Sequence, residues 1–238
     1  PEALLATARG AFKRTRDARY VAPVLHALSR EELDEALPRL CDGVGEAGVR
    51  AALTKLLRVP EGAEPLISAA DVIVLYHTLD LAKHSLSLKK VVETLNVCAS
   101  APMREVFDSQ SVAAALQRLV AMDPVPLLTM RTVMQALQSF PKLSAFAMDL
   151  LGRLIARQVW RMPKLWEGFL RCVQQASPQS IPVFLQLPPQ VLAEALKKLP
   201  GLHAPCSRYA AMPNASQTIP RATLDVLRQA APPPRAPR

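Results

Sequence analysis

Apolar residues return at three-then-four spacing along most of the chain, with polar residues between them, which is the period of amphipathic helices. The pattern is sharpest from Lys142 to Leu187. There Leu143, Phe146, Ala147, Leu150, Leu151, Leu154, Ile155 and Val159 share one helical side, while Asp149, Arg153 and Trp160 fall roughly opposite, with Arg157 beside them. A second stripe follows Pro163 in Leu165, Phe169, Leu170 and Val173. The two stripes predict a helical hairpin turned through Arg161-Met162-Pro163.

Residues 1–19 read as a basic lead-in or partial helix, 20–230 as one helical-repeat domain, and 231–238 (APPPRAPR) as a Pro/Arg-rich tail unable to pack. Within the domain, start signals recur. Ser29-x-x-Glu32 is a capping box ahead of Leu33, Leu37 and Leu40, in a helix ending near Asp42-Gly43. Glu46 to Leu57 is the next helix, closed by the turn residues Pro60-Glu61-Gly62. Ser68-x-x-Asp71 opens a helix through Val72, Leu75, Tyr76 and Leu79, Leu88 to Cys98 forms another, and Asp108 caps the one through Val112 and Leu116. Leu127 to Leu137 ends at Phe140-Pro141. Ser177-Pro178 and Pro188-Pro189 each place proline in a first helical turn, and a last helix spans Ala222 to Gln229.

Helices of about three turns joined by short loops predict an all-α fold, an α-solenoid of stacked helical hairpins. Its repeats are HEAT-like but irregular. Ala52-Leu53-Thr54-Lys55-Leu56, Ala115-Leu116-Gln117-Arg118-Leu119 and Ala195-Leu196-Lys197-Lys198-Leu199 echo one another without a fixed period.

Composition agrees with helix on helix. Half of the 238 residues are hydrophobic but only 5% are aromatic, too few for an all-β core. A chain of this length buries roughly 70% of its unfolded surface, so it needs no covalent staples. Cys41, Cys98, Cys172 and Cys206 lie far apart in apolar or helical settings and read as buried free thiols. No apolar run reaches membrane-spanning length. The opening PEALLATARG has no signal-peptide layout, and a start at Pro1 without methionine reads as a piece of a longer protein. The net charge of +9 favours an acidic partner, nucleic acid or anionic lipid, although the excess is spread along the chain.

Candidate chemistry is sparse. Gly43-Val44-Gly45-Glu46-Ala47-Gly48 matches a dinucleotide fingerprint by letter, but that chemistry requires a strand before the first glycine, and a capped helix precedes it here. His26, His77, His84 and His203 have no zinc spacing with the cysteines. The adjacent carboxylates Glu31-Glu32 and Asp34-Glu35 belong to a solvated face, and no nucleophile elbow is present. The sequence therefore predicts a non-enzymatic chain with no cofactor, no metal and no small-molecule substrate.

Arg153, Arg157 and Arg161 differ in kind. Steps of four align three guanidinium groups on a helix, and Trp160, Lys164 and Trp166 lie close by, a combination suited to an acidic protein segment or to phosphates. The competing reading pairs the arginines locally with Asp149 and Glu167 and sends the tryptophans inward, Trp166 before Trp160. Gln186-Leu187-Pro188-Pro189-Gln190 is a rigid helix joint that also offers a docking ledge.

Four phrases in order carry a resemblance: Met130-Arg131-Thr132-Val133-Met134-Gln135-Ala136-Leu137; Arg153-Leu154-Ile155 through Gln158-Val159-Trp160; Pro163-Lys164-Leu165-Trp166-Glu167-Gly168-Phe169; and Leu185-Gln186-Leu187-Pro188-Pro189-Gln190. Together they closely resemble the C-terminal domain of symplekin, best over 124–192 and more weakly from about Tyr20 to about Leu227. The turn at 43–48 and residues 204–217 depart from that pattern. The resemblance implies a non-enzymatic scaffold of nuclear pre-mRNA 3′-end cleavage and polyadenylation. Its implied partners are the C-terminal regions of the endonuclease subunit of the cleavage and polyadenylation specificity factor and of its inactive metallo-β-lactamase-type paralogue. Arg153, Arg157, Trp160, Arg161, Lys164 and Trp166 are the expected contacts. Direct RNA binding by the same basic surface is the rival, separable by its steep salt dependence.

Overall fold

Apolar stripes become helices in the computed structural model of the chain, which describes residues 2–58 and 65–229. Among the described residues there are fifteen α-helices, six short 3-10 segments and no strand. The fold is an all-α, irregular helical repeat. It divides into two compact units, Pro1–Phe140 and Pro141–Arg238, at a point inside the expected 20–230 domain. The Pro60-Glu61-Gly62 turn and the 231–238 tail lie outside the described residues.

The first unit holds α1 (Glu2–Thr15), α2 (Arg30–Gly43), α3 (Glu46–Leu57), α4 (Ala69–Thr78), α5 (Leu81–His84), α6 (Leu88–Cys98), α7 (Ser109–Ala121) and α8 (Thr129–Ser139). Its boundaries follow the start signals. The Ser29 hydroxyl accepts from the Glu32 N–H, and the Glu32 carboxylate accepts from the Ser29 N–H at 2.9 Å. Ser68 and Asp71 repeat the exchange at 3.1 and 3.0 Å. Asp80, Ser87 and Asp108 cap the helices that follow them. Each cap satisfies an N–H that the helix itself cannot, and contributes about 1 kcal/mol.

Helix α1 packs on the 3-10 segments that follow it, and Arg9 pairs with Glu32 at 2.9 Å, so residues 2–15 belong to the first unit rather than leading into it. The core runs through Leu25, Leu33, Leu37, Leu53, Tyr76 and Phe107, all buried. Two polar links lock helices across it. The buried Tyr76 hydroxyl donates to the Leu37 carbonyl at 3.1 Å. The His77 ring bonds the Ile73 carbonyl at 2.7 Å and the Thr132 hydroxyl at 2.9 Å, tying α4 to α8. A surface pair, Arg118 to Asp71 at 2.7 Å, ties α7 to α4.

The Gly43 to Gly48 stretch is a helix-to-helix turn. Helix α2 runs to Gly43, only Val44 and Gly45 intervene, and α3 starts at Glu46.

The second unit holds α9 (Ser144–Ala156), α10 (Pro163–Gln175), α11 (Ile181–Phe184), α12 (Pro189–Lys198), α13 (His203–Ala210), α14 (Pro213–Ser216) and α15 (Arg221–Gln229). Helix α11 packs against α9 and α13, and α12 against α15. The expected start at Ser177-Pro178 is not a helix start. Those residues lie in a turn, because the buried Ser180 hydroxyl donates back to the Val173 carbonyl at 2.6 Å and holds the turn against the end of α10. The helix begins at Ile181, with Pro182 in its first turn. Pro188-Pro189 does open α12 as expected.

Candidate partner-binding site

The α9 stripe buries Ala147, Leu150, Leu151 and Leu154, which leaves Asp149 and Arg153 outward and paired at 2.9 Å. The helix then stops earlier than its apolar pattern suggests. Arg157 closes the last turn by donating its N–H to the Arg153 carbonyl at 3.1 Å, and Gln158 takes a left-handed conformation, φ 57° and ψ 49°. For a residue with a Cβ that conformation costs about 1–2 kcal/mol. The Gln158 N–H bonds the Ile155 carbonyl at 2.8 Å and the next residue, Val159, is fully buried, both of which offset the cost.

This break corrects the expected arginine row. Arg153 lies on α9, Arg157 is the half-buried residue at its end, and Arg161 sits in the 3-10 turn Val159–Arg161, so the three do not share one helix face. The periodicity of Val159 continues the α9 pattern by accident of spacing, since its burial is achieved from the turn.

The turn presents a different arrangement. Trp160 and Met162 are half-buried, and Pro163 is exposed. Arg161 and Lys164 project beside them, exposed and without an ion pair to a described residue. Met162 is extended and hands over to Pro163 at the first position of α10, where no side chain caps the helix and no acidic residue occupies the first turn. The positive end of α10 thus adds to two uncompensated cations. Glu167, further along, is taken up by Arg171 at 2.6 Å.

Trp166 does not join this surface. It is buried, and its ring stacks on Phe169 with centroids 5.2 Å apart and planes at 20°. Its place as a contact residue is therefore corrected: it supports the joint from beneath, with Leu165, Phe169 and Val173. Cys172 lies in the same layer, and burial pushes its thiol up to about 12, which leaves it protonated and inert.

A half-exposed tryptophan with apolar neighbours, two free cations and an uncapped helix start is suited to anchoring a partner segment that carries an aromatic or aliphatic residue beside a carboxylate. Met162 and Gln158 were not singled out by sequence. A glutamine in the left-handed region has no periodic signature, and Met162 reads as a turn residue.

Two histidines elsewhere serve structure. His77 bridges two helices as described, and the His203 ring bonds the Leu227 carbonyl at 2.7 Å, holding α13 to α15. Among the described residues no three His, Cys, Asp or Glu side chains gather as a metal site would require.

Comparison with known proteins adds two findings. A family model described as the symplekin tight junction protein C terminal matches residues 17–199. No solved structure matches the chain.

Proposed function

Because the chain belongs to the symplekin C-terminal family, scaffolds of mRNA 3′-end processing, we propose that it holds together two subunits of the nuclear cleavage and polyadenylation machinery. The partners in this reading are the C-terminal regions of the endonuclease subunit and of its inactive metallo-β-lactamase-type paralogue. The observation that carries it, beside the family, is the α9–α10 joint: half-exposed Trp160 and Met162 close in sequence to the exposed Arg161 and Lys164, above a buried footing of Leu165, Trp166 and Phe169. A preformed surface of this kind binds without first ordering itself, which favours affinity.

RNA contact is secondary in this reading. Many arginines are already engaged by carboxylates, among them Arg9 with Glu32, Arg58 with Glu105 and Arg118 with Asp71, which lowers the free charge available to phosphates.

The test is co-expression with the two C-terminal regions followed by size-exclusion chromatography at moderate and high salt. A complex that survives high salt and is lost when Trp160→Ala is combined with Arg161→Glu is the expected result. Absence of any complex, with RNA bound instead and released by salt, would overturn it.

A further inference from the structure

We infer that the outward face of α3, in the first unit, takes up a helix of a partner protein whose contact face carries carboxylates beside small residues. This goes beyond the scaffold reading and uses none of the joint residues. A shallow trough of about 420 Å3 runs along α3, lined by Ala47, Arg50, Ala51, Thr54, Lys55 and Arg58. Those residues follow the spacing of one helical face, from the first turn of α3 to the residue that ends it.

The floor sets the shape of the occupant. Ala47 and Ala51 are exposed and Thr54 is half-buried, and side chains this short let a second helix come close. The helical turn places Arg50 and Lys55 on opposite sides of that floor, and Arg58 closes its far end.

Charge selects the occupant's chemistry. Half of the lining is cationic and none of it is acidic. Lys55 donates to the Pro23 carbonyl at 3.2 Å and has no ion pair to a described residue. Arg50 is the sharper indicator. It is held by one contact, from Nη2 to the Glu46 carboxylate at 3.0 Å, while its Nε is buried and has no acceptor among the described residues. A buried donor without an acceptor is costly where it stands. A carboxylate arriving from the trough and engaging the guanidinium side-on takes Nε and Nη2 together, completing what Glu46 leaves unmade. Arg58 pairs with Glu105 at 2.6 Å, both side chains being exposed, so that contact is readily exchanged for one across the interface.

Other occupants match less well. A second copy of the chain brings a net charge of +9 to a cationic face. A single-stranded nucleic acid finds no aromatic ring in the lining to stack on.

The test is selection on the 238-residue chain from a displayed library of helical hairpins randomised along one helix face, followed by fluorescence polarisation with the best enriched hairpin. The expected faces combine Ala, Gly or Ser with Glu or Asp. Affinity should fall about tenfold in Ala51→Trp, which fills the trough without changing its charge, and about tenfold in Arg50→Gln/Lys55→Gln. Arg14→Gln/Lys142→Gln, which removes equal charge elsewhere, should leave it unchanged. Thermal melts accompany each variant, and the charge variant keeps the test informative if Ala51→Trp unfolds. Enrichment of basic or uncharged faces, no enrichment, or affinity indifferent to both trough variants would overturn the proposal. So would displacement of the hairpin by oligouridylate at lower concentration than by unlabelled hairpin, which would assign the trough to nucleic acid. A dimer of the chain that Arg50→Gln/Lys55→Gln dissociates in sedimentation would assign it to a second copy and overturn the proposal equally.

Discussion

Five helices of the first unit, α2, α4, α5, α6 and α7, begin on side chains that cap them, whereas α9 to α14 of the second begin on residues that do not. Ser29, Ser68, Asp80, Ser87 and Asp108 each accept a hydrogen bond from the helix they precede. The residues ahead of α9, α10, α12 and α13 are Leu143, Met162, Pro188 and Leu202, and none offers such a bond. Acidic residues occupy first turns in α1 to α4 and in none of α9 to α15. The two units reach the same all-α packing by different means. The first satisfies many of its helix starts with its own side chains, and the second leaves the starts of α9 to α14 without a side-chain cap.

The largest expected effect concerns the two tryptophans of the second unit. Trp166→Ala removes a buried ring stacked on Phe169 and should cost about 3–5 kcal/mol in urea unfolding. Trp160→Ala, at a half-exposed site, should cost about 1 kcal/mol or less while abolishing partner binding. Equal losses of stability would erase the distinction between footing and surface.

A first-unit cap should come next. Asp71 is pushed up by burial, but the Ser68 hydroxyl, the Arg118 guanidinium and the Ser68 N–H outweigh that and hold its carboxyl at about 2. Its folded pKa is thus below the unfolded value near ~3.9, so its contribution is full above that pH and is lost as pH falls toward 2. Allowing for its partial exposure, Asp71→Asn should destabilise by about 1–2 kcal/mol at neutral pH. The gap to wild type should narrow as pH falls through about 3.9 and close only below about pH 2, where the carboxyl too is neutral. A gap unchanged by acid would show that the carboxylate charge is not what the cap uses.

His77 titrates in a higher window. Burial lowers its pKa, against the hydrogen bonds to the Ile73 and Leu128 carbonyls, so the ring is neutral in the fold. Stability should be full above about pH 6.5 and decline as pH falls below it. His77→Gln should flatten that part of the melting-temperature profile, and an unchanged slope would place the titration elsewhere.

Smaller still is the effect of moving the first unit's device into the second. Met162→Asp supplies α10 with a cap on an already extended residue, and should stabilise by about 0.5–1 kcal/mol in thermal melts. The same change places a carboxylate beside Arg161 and Lys164, so partner affinity should drop as stability rises. Gain in both would contradict the idea that the open helix start is kept for binding. The smallest change is Arg153→Ala, which removes an exposed i,i+4 pair with Asp149 and should shift stability by about 0.2–0.5 kcal/mol.

The same contrast explains what could be read from the residues alone. Helices α2, α3, α4, α6 and α7 start where expected because Ser, Asp and Gly at helix starts act locally. In the second unit α12 was legible from Pro188-Pro189, but the start assigned to Pro178 gave way to a turn held by the Ser180 hydroxyl on the Val173 carbonyl seven positions back, which no helix-start pattern encodes. The site was half legible. Arg161, Lys164 and Trp160 stand on the surface in the region expected, yet their arrangement depends on the left-handed Gln158, a break inside an unbroken apolar rhythm.

The most direct test of the scaffold account is site-specific photocrosslinking in the complex with the two nuclease-family C-terminal regions. A benzophenone amino acid replaces Trp160 in one sample and the exposed Tyr20 of the first unit in another. The account predicts covalent adducts to at least one of the two regions from position 160. A complex that forms fully yet crosslinks only from position 20 would contradict it.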